Sequence, residues 1–298
     1  MKKRNKRIIG LTLAVVLLMG LAGCAKDESK IVLASKPMAE QYIIAEMLTL
    51  LIEARTDITV EKKLGIGGGT SNIHPGMISG EIDLYPEYTG TGWLFVLKED
   101  LIRDPDELFE SVKNQYAQSY DIHWTGLYGF NNTFGLVVTR KVAEAYGLET
   151  YSDLAKVSEN LVFGANSDFF EREDGYPGLQ EVYGMDFGSI KEITIGLKYD
   201  AILTEEIDVT TIYTTDGRLE GSGLVVLEDD LGFFASYYAA TLIRNETLEK
   251  HPELEAVLEE MTGLITNQEM IRLNYRVEVL NDDPVVVARE YLEEKGLY

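Results

Sequence analysis

The chain has 298 residues, 45% of them apolar, with 27 Lys+Arg against 50 Asp+Glu and a formal net charge of −23. That apolar share argues for a packed globule rather than disorder, the length suffices for one large domain or two of ordinary size, and so acidic a surface excludes nucleic acid and anionic lipid headgroups as partners. A single cysteine excludes an intramolecular disulfide, so stability has to come from buried apolar area.

The basic start (Lys2, Lys3, Arg4, Lys6, Arg7) runs into an apolar stretch from Ile8 to Leu21, which closes on Leu21-Ala22-Gly23-Cys24. This is the layout of a secretory signal with small residues before the cut. It resembles a bacterial lipobox, which implies removal of residues 1–23, acylation of Cys24, a lipidated tether over 24–29 and an extracytoplasmic location on the cell membrane. The apolar stretch, 14 residues, falls short of the roughly 20 that span a bilayer. Cleavage strips five basic residues and no acidic one, leaving 22 Lys+Arg against 50 Asp+Glu and a net charge of −28.

From Lys30 the pattern alternates. Lys30 to Ala34 reads as a buried strand, and Ala39 to Glu53 carries Ile43, Ile44, Met47, Leu48 and Leu51 at helical spacing. A strand over Ile58 to Leu64 leads through Gly65-Ile66-Gly67-Gly68-Gly69-Thr70 into a helix near Ser71 to Ser79 and a strand from Ile82 to Tyr85. Strand, helix, strand, helix, strand predicts a parallel sheet with helices on its faces. A helix is expected over Pro105 to Tyr120, after which Tyr128-Gly129-Phe130-Asn131-Asn132 breaks the pattern and a second series begins. That series has strands at Phe134 to Thr139, Asn160 to Phe163, Ile207 to Tyr213 and Leu224 to Leu227, with helices at Lys141 to Tyr146 and Tyr151 to Leu154. The last third reads as helical: Pro252 to Leu264, a helix opened by the capping-box spacing Thr266 to Glu269, and Pro284 to Lys295. Two α/β series without a flexible linker suggest two lobes joined by short crossovers, with the C-terminal helices packed back on the first.

Enzyme signatures fail one by one. The glycine run has Thr70 where a dinucleotide fingerprint puts its third glycine, and no phosphate-loop lysine follows. The three histidines, His74, His123 and His251, are scattered, so no zinc site is expected. Glu173-Asp174 are adjacent and point apart, unlike a glycosidase pair, and no Gly-x-Ser-x-Gly elbow occurs. No cofactor is called for. What stands out instead is Asp83 to Trp93, with Tyr85-Pro86-Glu87-Tyr88-Thr89-Gly90-Thr91 dense in aromatics and hydroxyls and Gly90 expected to let the backbone turn. Asn131-Asn132-Thr133-Phe134, Ile212 to Arg218 and Phe233 to Ala239 have the same character.

With Ala34-Ser35-Lys36, Gly68 to Thr91, Gly129 to Thr133, Arg172-Glu173-Asp174-Gly175, Tyr213-Thr214-Thr215-Asp216-Gly217-Arg218 and Pro284 to Leu297 in this order, the chain resembles the substrate-binding proteins of osmoprotectant ABC importers over nearly its whole mature length. The resemblance implies a type II periplasmic-binding fold: lobe 1 from 30–131 plus 238–298, lobe 2 from 132–237, and two crossovers near Asn131 and Tyr237 around a ligand cleft. It implies no catalysis, a quaternary ammonium ligand (glycine betaine, carnitine, choline or proline betaine), and an ABC permease with its ATPase as partners. A ligand-sensing or enzymatic lipoprotein on the same fold is the alternative. By motif position the aromatic box is Tyr88, Phe134, Tyr213 and Tyr237, with Phe134 replacing the usual tyrosine. Rings suit a trimethylammonium group, which has no N–H to donate. Lys36, Thr91 and Arg172 are implied as a carboxylate clamp, favouring a zwitterion such as glycine betaine over choline.

Overall fold

The computed structural model describes residues 29–219 and 221–298; the signal, Cys24 and nearly all of the tether lie outside the described residues. Strand β1 (Lys30–Ala34), helix α1 (Ala39–Arg55), β2 (Thr59–Lys63), α2 (Thr70–Ser79), β3 (Leu84–Tyr88), α3 (Pro105–Tyr120) and β4 (Ile122–Trp124) form the first series. The second comprises β5 (Phe134–Thr139), α4 (Arg140–Tyr146), α5 (Tyr151–Ala155), β6 (Val162–Ala165), α6 (Ser167–Glu171), α7 (Tyr176–Tyr183), β7 (Ser189–Glu192), α8 (Lys198–Leu203), β8 (Val209–Tyr213) and β9 (Leu224–Val226). The chain then returns through β10 (Ala239–Arg244) to α9 (Asn245–Lys250), α10 (Glu253–Glu259), α11 (Asn267–Glu278) and α12 (Pro284–Glu294). Among the described residues no helix is long and apolar enough to cross a membrane.

The strands form two five-stranded sheets, ordered β2-β1-β3-β10-β4 and β7-β6-β8-β5-β9. Neither sheet is purely parallel, contrary to the sequence expectation. β1 runs parallel to β2 and β3, but β10 lies antiparallel between β3 and β4. The strand that reverses the pattern has the sequence Ala-Ala-Thr-Leu-Ile-Arg, whose opening alanines carry little β signal. β3 also runs to Tyr88 through Pro86, beyond the Tyr85 limit read from sequence. Because β1 pairs with β3 only at Leu33 and Leu84, β3 has outrun that neighbour by Pro86, where a missing N–H costs the ladder little.

Side-chain alternation divides each core between the two faces of its sheet. Ile31 and Leu33 pack with α1 and the C-terminal helices, while Val32 and Ala34 pack with Trp93, Val112 and Trp124. Leu136 and Val138 of β5 enter one core of the second sheet and Val137 the other. Helix α1 is buried along most of its length, from Glu40 to Ile52. The C-terminal helices do pack back on it: Val287, Ala288, Tyr291 and Leu292 of α12 share its core. The capping box read at Thr266 and Glu269 opens α11.

Two crossovers connect the sheets and pair with each other. Asn131 and Tyr238 form an antiparallel bridge, the Asn132 N–H donates to the Tyr237 carbonyl at 3.0 Å, and the Tyr237 N–H donates to Asn131 Oδ1 at 2.7 Å. Beside them the turn after β8 docks on α11 so closely that a Cβ on Gly217 would sit 2.2 Å from the Tyr275 nitrogen. Backbone cannot yield as a flexible side chain does. Gly217→Ala is therefore expected to destabilise the fold by about 1–3 kcal/mol, read as a lower urea midpoint with an unchanged slope; an unaltered midpoint would show that the turn and α11 are free to part.

Candidate ligand-binding cleft

The ends of strands from both sheets meet around a cavity of about 430 Å³. Lys36 follows β1, Tyr88 ends β3, Arg172 follows α6, Tyr213 ends β8, and Thr91 opens a π-helical turn, Thr91–Leu97. Ligand clefts in open α/β sheets sit at such carboxyl ends. All seven residues singled out from sequence, Lys36, Tyr88, Thr91, Phe134, Arg172, Tyr213 and Tyr237, line this one cavity.

Phe134 is the hub of the aromatic wall. Its ring centroid lies 5.2 Å from Tyr213, 5.6 Å from Tyr237 with the planes at 89°, and 5.3 Å from Phe169, which sequence reasoning did not select. Tyr88 comes from the other sheet. Its hydroxyl donates to Glu40 Oε1 at 2.6 Å and accepts from Gln41 Nε2 at 3.1 Å. Burial first, then the Glu40 carboxylate, drives the Tyr88 hydroxyl well above the usual phenol range, so it remains a donor. Gly90 has right-handed helical angles, φ −62° and ψ −38°, so the expected turn is not its role. A Cβ there would lie 2.7 Å from the Tyr237 ring; glycine is needed because the ring packs directly on the main chain.

The two cations of the expected clamp do not stand free. Lys36 Nζ bonds Glu87 Oε1 and lies 4.7 Å from the centroid of the Tyr88 ring. Burial lowers the Lys36 pKa, and Glu87 opposes that shift. Arg172 makes a bidentate pair with Asp174, Nε to Oδ1 at 2.7 Å and Nη2 to Oδ2 at 2.5 Å. Its guanidinium also sits 4.9 Å from the Phe95 ring and 5.8 Å from that of Phe134. Burial alone would lower its pKa, yet Asp174 holds it above the ordinary value. The same Asp174 accepts from the Tyr237 hydroxyl at 2.5 Å. Five guanidinium and three ammonium donors are available, so both cations retain N–H groups for a ligand after these pairings.

Three carboxylates thus stand behind the wall without having been singled out from sequence. Glu87, fully buried, accepts from Thr70 Oγ1 at 2.7 Å, Tyr85 at 3.0 Å and the Tyr88 N–H at 2.7 Å besides Lys36. Glu40 accepts from Tyr88, Asn132 Nδ2 at 2.8 Å, Thr215 Oγ1 at 2.7 Å and Asn274 Nδ2 at 3.3 Å. Burial raises its pKa and those four donors oppose the rise. Glu87 and Asp174 lie inside the motifs Tyr-Pro-Glu-Tyr and Arg-Glu-Asp-Gly, which was the available signal; Glu40 looks like any acid in the first turn of a helix.

A second cavity, about 200 Å³, adjoins the first at Tyr213 and is lined by Lys198, Asp216, Asn274 and Glu278. Lys198 Nζ sits 4.4 Å from the Tyr213 centroid and 2.9 Å from Asp216 Oδ2. Burial, and then the Asp216 charge, pushes Glu278 up to about 7, against the pull of the Arg218 N–H.

The family described as the substrate binding domain of ABC-type glycine betaine transport systems matches residues 29–294. This chain belongs to that family. That family is one of transport binding proteins and not of enzymes. The chain is 43% identical over 302 residues to an ergothioneine transport permease/ergothioneine binding protein of Helicobacter pylori, across 99% of this chain and 54% of that protein. The chain therefore spans about half the length of that relative. A carnitine transport binding protein of Listeria monocytogenes is 35% identical, over 97% of this chain and 93% of its own length. A crystal structure of a glycine betaine/carnitine/choline ABC transporter protein superposes with a TM-score of 0.73 at 37% identity, covering 90% of this chain and 98% of the other. The two-lobed, periplasmic-binding-protein-like fold is thereby shared.

Glu278 yields a pH prediction for the family member in hand. The folded chain keeps this proton up to about 7, whereas the ordinary value is 4.5. Where the native state binds more protons than the unfolded, stability falls as pH rises. The burden is absent below 4.5, grows between 4.5 and 7, and is constant above. Calorimetric melting of parent and Glu278→Gln should show the variant gaining stability relative to the parent from pH 5 to pH 8; a pH-independent difference would refute the assignment.

Proposed function

We propose that the chain is the extracytoplasmic solute-binding component of an ABC importer, closing its lobes over a trimethylammonium zwitterion and presenting it to a permease driven by a separate ATPase. The lobes are taken as 30–131 with 238–298, and 132–237. The observation that carries this reading is the convergence of Tyr88, Phe134, Tyr213 and Tyr237 on one cavity with Lys36, Thr91 and Arg172. Each ring face offered to a desolvated quaternary ammonium contributes roughly 0.5–2 kcal/mol. Lys36, Thr91 and Arg172 take the carboxylate. A cavity of about 430 Å³ is roomier than glycine betaine alone requires, and the relative named for ergothioneine is 43% identical. Both points support a betaine with a larger side chain, ergothioneine being the first ligand to test beside carnitine, glycine betaine, proline betaine and choline.

Saturating ligand should raise the melting temperature, since a molecule that binds only the folded form stabilises it by mass action. Calorimetry across the panel should rank zwitterions above choline. Each charge-assisted hydrogen bond is worth about 1.5–3 kcal/mol and about 1.4 kcal/mol is tenfold, so Arg172→Ala should weaken a zwitterion by one to two decades. Choline should lose far less, because the substitution also leaves Asp174 unpaired beside a cationic ligand. Tyr213→Ala should weaken both, the ammonium head being common to them. Choline binding as tightly as every zwitterion in the parent would sink the clamp.

Lipid anchoring through Cys24 belongs to the same proposal, supported by the signal-like segment before it. Cys24→Ser is expected to release the protein from the membrane fraction with ligand affinity intact. A variant that is cleaved and still sediments with membranes would overturn the anchor.

A further inference from the structure

The π-helical turn Thr91–Leu97 divides its side chains between two neighbourhoods. Trp93, Leu94, Val96 and Leu97 pack in the cores of the first sheet, whereas Phe95 belongs to none of the described cores. Half-buried, it lines the main cavity together with Thr91. Phenylalanine is among the residues most often buried in a core, and π turns are rare and frequent at functional sites. What Phe95 has in place of core packing is Arg172, whose guanidinium carbon lies 4.9 Å from its ring centroid, within cation–π reach.

That contact bridges the two sheets. Thr91 and Phe95 follow β3 of the first, and Arg172 follows β6 and α6 of the second. Arg172 is paired with Asp174, but Asp174 lies on the same short segment, and its other partner, the Tyr237 hydroxyl, belongs to a crossover. Phe134, 5.8 Å from the guanidinium, opens a strand of the second sheet. None of these ties the guanidinium to the turn that carries Thr91. Phe95, on that same turn, does. A carboxylate held by Thr91 and Arg172 together needs their spacing fixed, because hydrogen bonds weaken steeply when misaligned.

We propose that Phe95 is a positioning residue of the carboxylate clamp: its ring, resting on the guanidinium, registers Arg172 against Thr91 and thereby sets how tightly the carboxylate end of a betaine is held. This inference rests on the reading of the cleft as a betaine site. Phe95 acts through Arg172, so its contribution disappears when Arg172 is removed. A cation–π contact of this kind corresponds to about two- to thirtyfold in affinity.

Calorimetric titration of the whole chain with the tightest-binding zwitterion tests this in a double-mutant cycle. Phe95→Leu is expected to weaken that ligand about two- to thirtyfold, and the same substitution in an Arg172→Ala background is expected to change nothing further. Replacing Phe95 with pentafluorophenylalanine, which keeps the ring and reverses the charge of its face, should reproduce the loss, while Phe95→Tyr should keep the parental affinity. An unchanged affinity in Phe95→Leu overturns the inference. Equal losses in both backgrounds overturn it too, since a ring that packs on the ligand or merely holds the fold acts without Arg172. Where a variant fails to fold or binds too weakly to measure, the fluorinated ring in the otherwise unaltered chain decides by itself, and parental affinity there overturns the inference. Zwitterion binding that ignores Phe95 leaves the betaine reading standing; failure of every betaine to bind overturns that reading and this inference together.

Discussion

Glu40 is the contact on which the rest of the cleft depends. A carboxylate in a site with 1% exposure is costly unless donors replace its water, and its four donors come from four different parts of the chain. Tyr88 ends a strand of the first sheet, Asn132 lies on a crossover, Thr215 follows the last long strand of the second sheet, and Asn274 belongs to a C-terminal helix. Removing the carboxylate would strand the donors of Tyr88, Asn132 and Thr215 at once, while Asn274 Nδ2 would keep the Thr215 carbonyl. Glu87 and Asp174 repeat the device on a smaller scale, each holding a cation together with a tyrosine. The aromatic wall is therefore held from behind by acids rather than by ring packing alone.

That construction changes how charge is to be read. The sequence suggests two cations facing a ligand carboxylate in a strongly acidic protein. In the structure each cation brings its own acid, so the cleft supplies directional N–H groups more than net positive potential. Hydrogen bonds with fixed geometry tolerate salt better than a bare field does. The rings are shared in the same way: Lys36 lies against Tyr88, Arg172 near Phe134 and Lys198 against Tyr213. The ammonium group proposed above would be left the faces that these side chains do not occupy, which would limit the number of orientations it can adopt.

Much of this was legible from residue patterns where the physics is local. β1 and β5 and the helix from Pro105 follow period and capping signals and appear at the limits read from sequence. β10 was missed because an alanine-rich strand gains its stability from two antiparallel neighbours far away in the chain. Helix α7 and the exposed strand β7 also escaped, the latter presenting Ser-Ile-Lys-Glu with all four residues exposed and so no burial pattern to detect. The four box aromatics and the three clamp residues came from motif position in a resembling family. Their partners did not, because nothing in a sequence window tells that Glu40 is surrounded by Tyr88, Thr215 and Asn274. Gly90 shows the same limit: its requirement is the Tyr237 ring across the cleft and not its own dihedral angles.

The link between lobe position and box geometry follows from one shared acceptor. Thr215 lies in the turn after β8 of the second sheet, and its hydroxyl bonds the same carboxylate that holds the Tyr88 hydroxyl of the first. Asn274 Nδ2 also reaches the Thr215 carbonyl at 2.8 Å. Any separation of the two sheets has to break these bonds, and hydrogen bonds to charged groups are worth about 1.5–3 kcal/mol each. Once Thr215 leaves, Glu40 has lost a donor, and solvent is the nearest replacement. Tyr88 then no longer has the dry, fully satisfied acceptor that fixes its hydroxyl. The position of Tyr88 and the approach of the two sheets are accordingly coupled, and a ligand bound by the rings as proposed above would hold the sheets together.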